Sequence, residues 1–159
     1  MPTPEQLRAA IFGGQEVLRG ASVWGALIGT ANLWLRGYRV DPPDVDFIVA
    51  NAVILDPLRP DVILKRSGNA FGLFVGGVGV DFVLVDDRTL GCLPNWDPCE
   101  FVGTTPLASV EQVLEFKRLA GREKDRVFLD RWARGEFARP TAWRDLHDDE
   151  FFARLRSAP

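Results

Sequence analysis

Residues 23–50, VWGALIGTANLWLRGYRVDPPDVDFIVA, decide how the chain is read. The apolar run Val23 to Ile28 is too short for a helix and ends at a glycine, which predicts a buried strand. Gly29 marks a turn. From Thr30 to Leu35 apolar residues return at helical spacing, with Thr30 placed to cap the first turn and Gly37 placed to stop the helix. Asp41-Pro42-Pro43 has to be an extended loop, because proline cannot continue a helix and restricts the residue before it. In Asp44-Val45-Asp46-Phe47-Ile48-Val49 successive side chains alternate. Asp44 and Asp46 therefore share one face of a strand, about 7 Å apart along the backbone, while Val45 and Phe47 take the other.

Two carboxylates held side by side raise the cost of ionising each other unless a cation lies between them. Oxygen donors of this kind suit Mg²⁺, which takes one or two carboxylates and keeps its other positions for water and substrate phosphates. An isolated Asp-x-Asp is more often a solvated strand edge, and only the preceding strand, glycine turn and helix make this one a candidate site. Together, Ile28-Gly29-Thr30-Ala31, Gly37, Arg39 and Asp44-Val45-Asp46 resemble the Gly-Gly/Ser, helix, Arg, Asp-x-Asp signature of the polymerase-beta-like nucleotidyltransferases. The branch resembled most is the one that includes bacterial abortive-infection nucleotidyltransferase toxins. Ile28 stands where that signature has its first glycine, and Pro42-Pro43 read as an insertion between the arginine and the acids.

Around this unit, a leading helix is expected from Thr3 or Pro4, interrupted at Gly13-Gly14 and resumed over Gln15 to Leu18. Strands are expected over Asp61–Lys65, Asn69–Val75 and Val78–Val85, with turns at Ser67-Gly68 and Gly76-Gly77. In VGVDFVLV, alternation places Asp81 as a lone charge within an apolar strand, where it has to be paired, face a cleft or bind a metal. Residues 89–105 read as a crossing segment, with Trp96 and Phe101 covering the sheet. Ser109 followed by Gln112 is a capping-box pattern opening a helix with Val110, Val113, Leu114, Lys117 and Leu119 on its buried stripe.

The segment Leu114 to Trp132, LEFKRLAGREKDRVFLDRW, resembles the Lys-x-x-Ala-x-Arg-x-Lys-Asp-x-x-Asp pattern of the same branch through Lys117, Ala120, Arg122, Lys124, Asp125 and Asp130. Read without the resemblance, it is equally well a solvated helical face with Glu123, Lys124, Asp125 and Arg126 exchanging weak ion pairs. A C-terminal helical segment is expected over 139–156, anchored by Trp143, Leu146, Phe151, Phe152 and Leu155, and His147 reads as a surface residue.

With 159 residues and 47% hydrophobic content, one domain spanning 1–159, with its core over 21–132, is the expectation. The net charge of −3 gives no overall basic field, so any contact with nucleic acid has to use a local patch. Cys92 and Cys99 have neither a metal spacing nor a disulfide framework and read as reduced thiols. No leader-like pattern and no apolar run of membrane-spanning length is present in the sequence, making a cytoplasmic location the default.

The resemblance implies an α/β (α+β) fold, a small mixed, largely antiparallel sheet with helices packed on one side. It implies transfer of a nucleoside monophosphate from an NTP to a hydroxyl on RNA, protein or a small molecule. Asp44, Asp46 and Asp81 would be the catalytic and Mg²⁺-binding acids, and Gly29, Thr30, Arg39, Lys117 and Arg122 the nucleotide-binding residues. Two other readings stay open: a degenerate, non-catalytic module acting in protein interaction, and the toxin of a toxin–antitoxin pair with an antitoxin-like partner.

Overall fold

A computed structural model describes residues 1–50, 65–67, 70–95 and 100–138. Among these residues, four helices and seven strands follow in the order α1 (Pro4–Gly20), β1 (Gly25–Ile28), α2 (Gly29–Leu35), β2 (Val45–Val49), β3 (Lys65–Ser67), β4 (Ala70–Val75), β5 (Val78–Leu84), β6 (Glu100–Val102), β7 (Thr105–Leu107), α3 (Val110–Ala120) and α4 (Glu123–Ala133). One short 3₁₀ turn, Leu90–Cys92, precedes β6. The strands form a single mixed sheet in the order β3-β4-β5-β2-β1-β7-β6. Its β1–β2, β3–β4, β4–β5 and β6–β7 pairs are antiparallel, and its β1–β7 and β2–β5 pairs are parallel. The mixed, largely antiparallel sheet expected from the sequence is the one observed.

Alternation along β2 builds two cores. Val45, Phe47 and Val49 join Leu27, Val80, Phe82 and Phe71 beneath Leu7, Ala10, Ile11 and Leu18 of α1. On the opposite face Ile48 joins Ala26, Ile28, Leu33, Cys92, Val113 and Phe137 beneath α3. Helices thus cover both faces of the sheet, where one-sided cover was expected, because central strands apolar on both sides need burial on both. Phe47 and Phe82 stack at 5.7 Å between ring centroids in the first core. Each such fully buried ring contributes roughly 1.5–3 kcal/mol. Burial also pushes the Cys92 thiol up, keeping it a small apolar core residue.

Gly13-Gly14 does not interrupt α1, which runs unbroken for 17 residues from a Thr3/Gln6 capping box. A Cβ at Gly14 would overlap the Phe47 ring, and one at Gly13 would lie 2.9 Å from Val75. The glycine pair lets the helix approach the sheet closely, and that packing outweighs its poor helix propensity. Phe101 does not cover the sheet but lies exposed on the edge strand β6. The Ser109/Gln112 capping box forms as expected, and α3 stops at Gly121 in the left-handed conformation. Residues 139–156, Trp96, Cys99, His147 and most of the strand expected over Asp61–Lys65 lie outside the described residues. Among those described, no helix is long and apolar enough to cross a membrane.

Candidate functional site

The β2–β5 register sets Asp46 directly beside Asp81. Asp44, one residue before β2, falls on the same face, so one carboxylate oxygen from each of Asp44, Asp46 and Asp81 lies within 4.8 Å of the other two. Three like charges at that spacing oppose one another. Burial first, and then Asp44 and Asp81, raise the Asp46 pKa to about 7, against a pull from Lys117 and Arg122. An all-oxygen donor set of three converging carboxylates fits a hard divalent cation of the Mg²⁺ kind.

The turn into α2 is built around Asp46. Gly29 has φ +73°, and a Cβ on it would stand 2.5 Å from Asp46 Oδ2. Helix α2 begins at once, with Ile28 as its N-cap and no side-chain cap. Thr30 was expected to cap that turn. It lies inside the helix instead, because the backbone turns one residue earlier, and its hydroxyl accepts a 3.3 Å hydrogen bond from Lys117 Nζ.

Lys117 and Arg122 come together around a buried carboxylate. Asp125, 1% exposed, accepts from Arg122 Nε at 2.6 Å and Nη2 at 3.3 Å, and lies 3.6 Å from Lys117 Nζ. Lys117 Nζ also stands 4.3 Å over the Phe128 ring. Desolvation pulls the Lys117 pKa down, with Asp125 and Asp46 resisting; hydrogen bonding to Asp125 pushes the Arg122 pKa up. A fully solvated face is therefore excluded for Lys117 and Asp125, whereas Glu123, Lys124 and Arg126 are exposed. A left-handed glycine at 121 between α3 and α4 lets the two helices aim these three groups at one point.

Acids and cations open onto one cleft of about 250 Å³, whose walls include Thr30, Arg39, Asp44, Asp46, Lys117 and Arg122. Arg39 is at its exposed rim. Asp81 and Gly29 contribute through Asp46 and do not line the cleft themselves. Sequence reasoning missed Phe128, Arg131 and Phe137 as wall residues. It also missed Arg36, whose guanidinium is buried and donates to Asn32 Oδ1 at 2.9 Å, to the Ala108 carbonyl at 2.8 Å and to Glu100 at 2.6 Å. Asn32 in turn donates to the Leu27 and Ala108 carbonyls. This network ties α2 to the β1 and β7 ends and so fixes the turn that carries Gly29. A polar pair at i, i+4, Asn32 in the helix and Arg36 at its C-cap, was the signal available for it.

No family model matches the chain, and no curated protein matches it. Among solved structures, one described as a "putative nucleotidyltransferase" from Thermotoga maritima superposes with a TM-score of 0.54 at 19% identity, covering 84% of this chain and 96% of that one. An "antigenic nucleotidyltransferase-like protein" from Paracoccidioides brasiliensis superposes at 0.47 with 16% identity, over 96% of this chain and 86% of its own. At such identities a likeness speaks for architecture, and the first of the two shows that this chain has a nucleotidyltransferase-like fold.

Proposed function

We propose that the protein is a metal-assisted nucleotidyltransferase that moves a nucleoside monophosphate from an NTP to an acceptor hydroxyl. The observation that carries this reading is the convergence of Asp44, Asp46 and Asp81 beside a cleft walled by Lys117 and Arg122. Mg²⁺ held by the three aspartates would neutralise phosphate charge and acidify the attacking hydroxyl. The Arg122 fork and the Lys117 ammonium bind the phosphates that leave as pyrophosphate, and Arg39 reaches them from the rim. The acceptor oxygen forms a bond to the α-phosphorus as the bond from that phosphorus to the β-bridging oxygen breaks. Asp81, on the far side of Asp46 from the cleft, helps take up the hydroxyl proton and passes it to solvent.

The 114–132 pattern supports placement near the abortive-infection toxin branch, with RNA or protein as acceptor, an antitoxin-like partner and a cytoplasmic setting where NTPs are plentiful. The test is a thermal melt with Mg²⁺ and each NTP. Binding to the native state alone raises Tm by mass action, and Asp44→Asn with Asp46→Asn should abolish the rise. Label from an α-labelled NTP should pass to cellular RNA or protein, and Asp44→Ala should cut that transfer at least a hundredfold. A wild type that gives neither a shift nor a label would leave a non-catalytic interaction module.

A further inference from the structure

The acids have a second flank, away from the cleft. Following the ladder outward from Asp44, the register passes to Gly79 on β5 and then to Phe74 on β4. Phe74 is 62% exposed, a large apolar ring left in solvent on the same sheet face as the acids. A Cβ built on Gly79 would lie 3.8 Å from Phe74 Cε1 and 3.9 Å from Asp44 Cβ, so glycine leaves open the ground between ring and carboxylate. One rung along, Asp81 pairs with Gly72, which is buried and lies outside that open ground. The open ground beside the acids is thus Gly79 and one exposed ring.

This ground lies on the β4 side of the acids, while Lys117 and Arg122 stand on the α2 and β1 side. In-line displacement puts the entering and leaving oxygens on opposite sides of the phosphorus. With pyrophosphate leaving toward the cations, the acceptor hydroxyl enters from the side of Phe74.

We infer that Phe74, with Gly79 between it and Asp44, is an acceptor subsite that stacks the terminal base of a single-stranded nucleic acid and so presents its sugar hydroxyl to the acids. The inference rests on the nucleotidyltransferase reading and names the acceptor it left open. An exposed ring suits any base, since each has a π-face, and calls for no overall basic charge on the protein. A sugar separates base from hydroxyl as Gly79 separates Phe74 from Asp44. In a tyrosine the hydroxyl is on the ring, and stacking on Phe74 would hold it short of the acids.

The test is fluorescence anisotropy with a short 5′-labelled single-stranded RNA bearing a free 3′ hydroxyl, on the full chain, with Mg²⁺ and a non-reacting α,β-methylene NTP. Phe74→Ala should weaken RNA binding about ten- to a hundredfold and Phe74→Trp should restore it, while the Tm rise with Mg²⁺ and NTP stays as in the wild type. Because the ring is mostly in solvent, its truncation removes little packing, and an unchanged Tm without ligand verifies the fold. Equal RNA affinity in Phe74→Ala, no RNA binding by a wild type that still gives the NTP shift, or competition by a tyrosine peptide alone would each overturn the subsite and leave the nucleotide reading standing. Absence of the NTP shift in the wild type would overturn that reading and the subsite with it.

Discussion

The two halves of the site are both made of charge, yet they are assembled on opposite terms. Just before β2, on β2 and on β5, three aspartates face one another, and Asp46 is held well above its ordinary pKa. Across the cleft, α3 and α4 gather two cations around Asp125, which satisfies both before any ligand arrives. The acidic half holds mutually opposed charge; the cationic half is pre-organised. Mutually opposed acids should weaken the protein, and a clamp with its own internal carboxylate should strengthen it.

Breaking that contrast should have its largest effect at Asp125. Asp125→Ala leaves the Lys117 ammonium buried beside Phe128 with its nearest carboxylate removed, which costs about 3 kcal/mol, or roughly 6–12 °C in Tm. A thermal melt in the absence of ligand measures it, and a loss below about 1 kcal/mol would mean that Lys117 and Arg122 are not held by this carboxylate.

Asp46 should behave in the opposite sense. Its folded pKa, about 7, lies above the ordinary 3.8, so the folded chain holds this proton more tightly than the unfolded chain does. The associated stability is present at low pH and is lost as pH rises from about 4 through about 7. Asp46→Asn should therefore stabilise the metal-free chain by about 2 kcal/mol at pH 8 and hardly at all at pH 4. Urea unfolding at the two pH values checks this, and a variant less stable than wild type at pH 8 would contradict the picture of mutually opposed acids.

Arg122→Lys gives the smallest and most discriminating effect. The Arg122 side chain is 57% exposed, so replacing it should shift stability by no more than about 0.5 kcal/mol. A lysine keeps the charge but loses the two-pronged donor geometry, and the KM for NTP should rise about three- to tenfold with little change in kcat. An unchanged KM would remove Arg122 from the phosphate side.

Much of this was legible in the chain. Strand alternation placed Asp44 and Asp46 on one face and Asp81 on the matching face of its own strand, because side-chain direction in a strand is a local property. Local spacing also gave the Ser109/Gln112 capping box and the stop at Gly37. What it could not give was set by distant packing. Gly13-Gly14 looks like a helix break until Phe47, more than thirty positions on, is seen to need the room. Asp125 looks like one more member of a charged helical run until Gly121 turns α4 so that this one residue faces inward. Phe74 looks like an ordinary strand residue until β5 sets Gly79 between it and Asp44.

Gly29 has a bearing on how copies of this chain can diverge. Any side chain at this position meets two penalties at once, a left-handed backbone and a Cβ driven against Asp46 Oδ2. Every substitution there is strained while the acid stays in place. In a related chain, anything but glycine there would report that the carboxylate has been displaced or the turn rebuilt, so a single letter distinguishes copies that retain this pairing of turn and carboxylate from those that have kept only its scaffold.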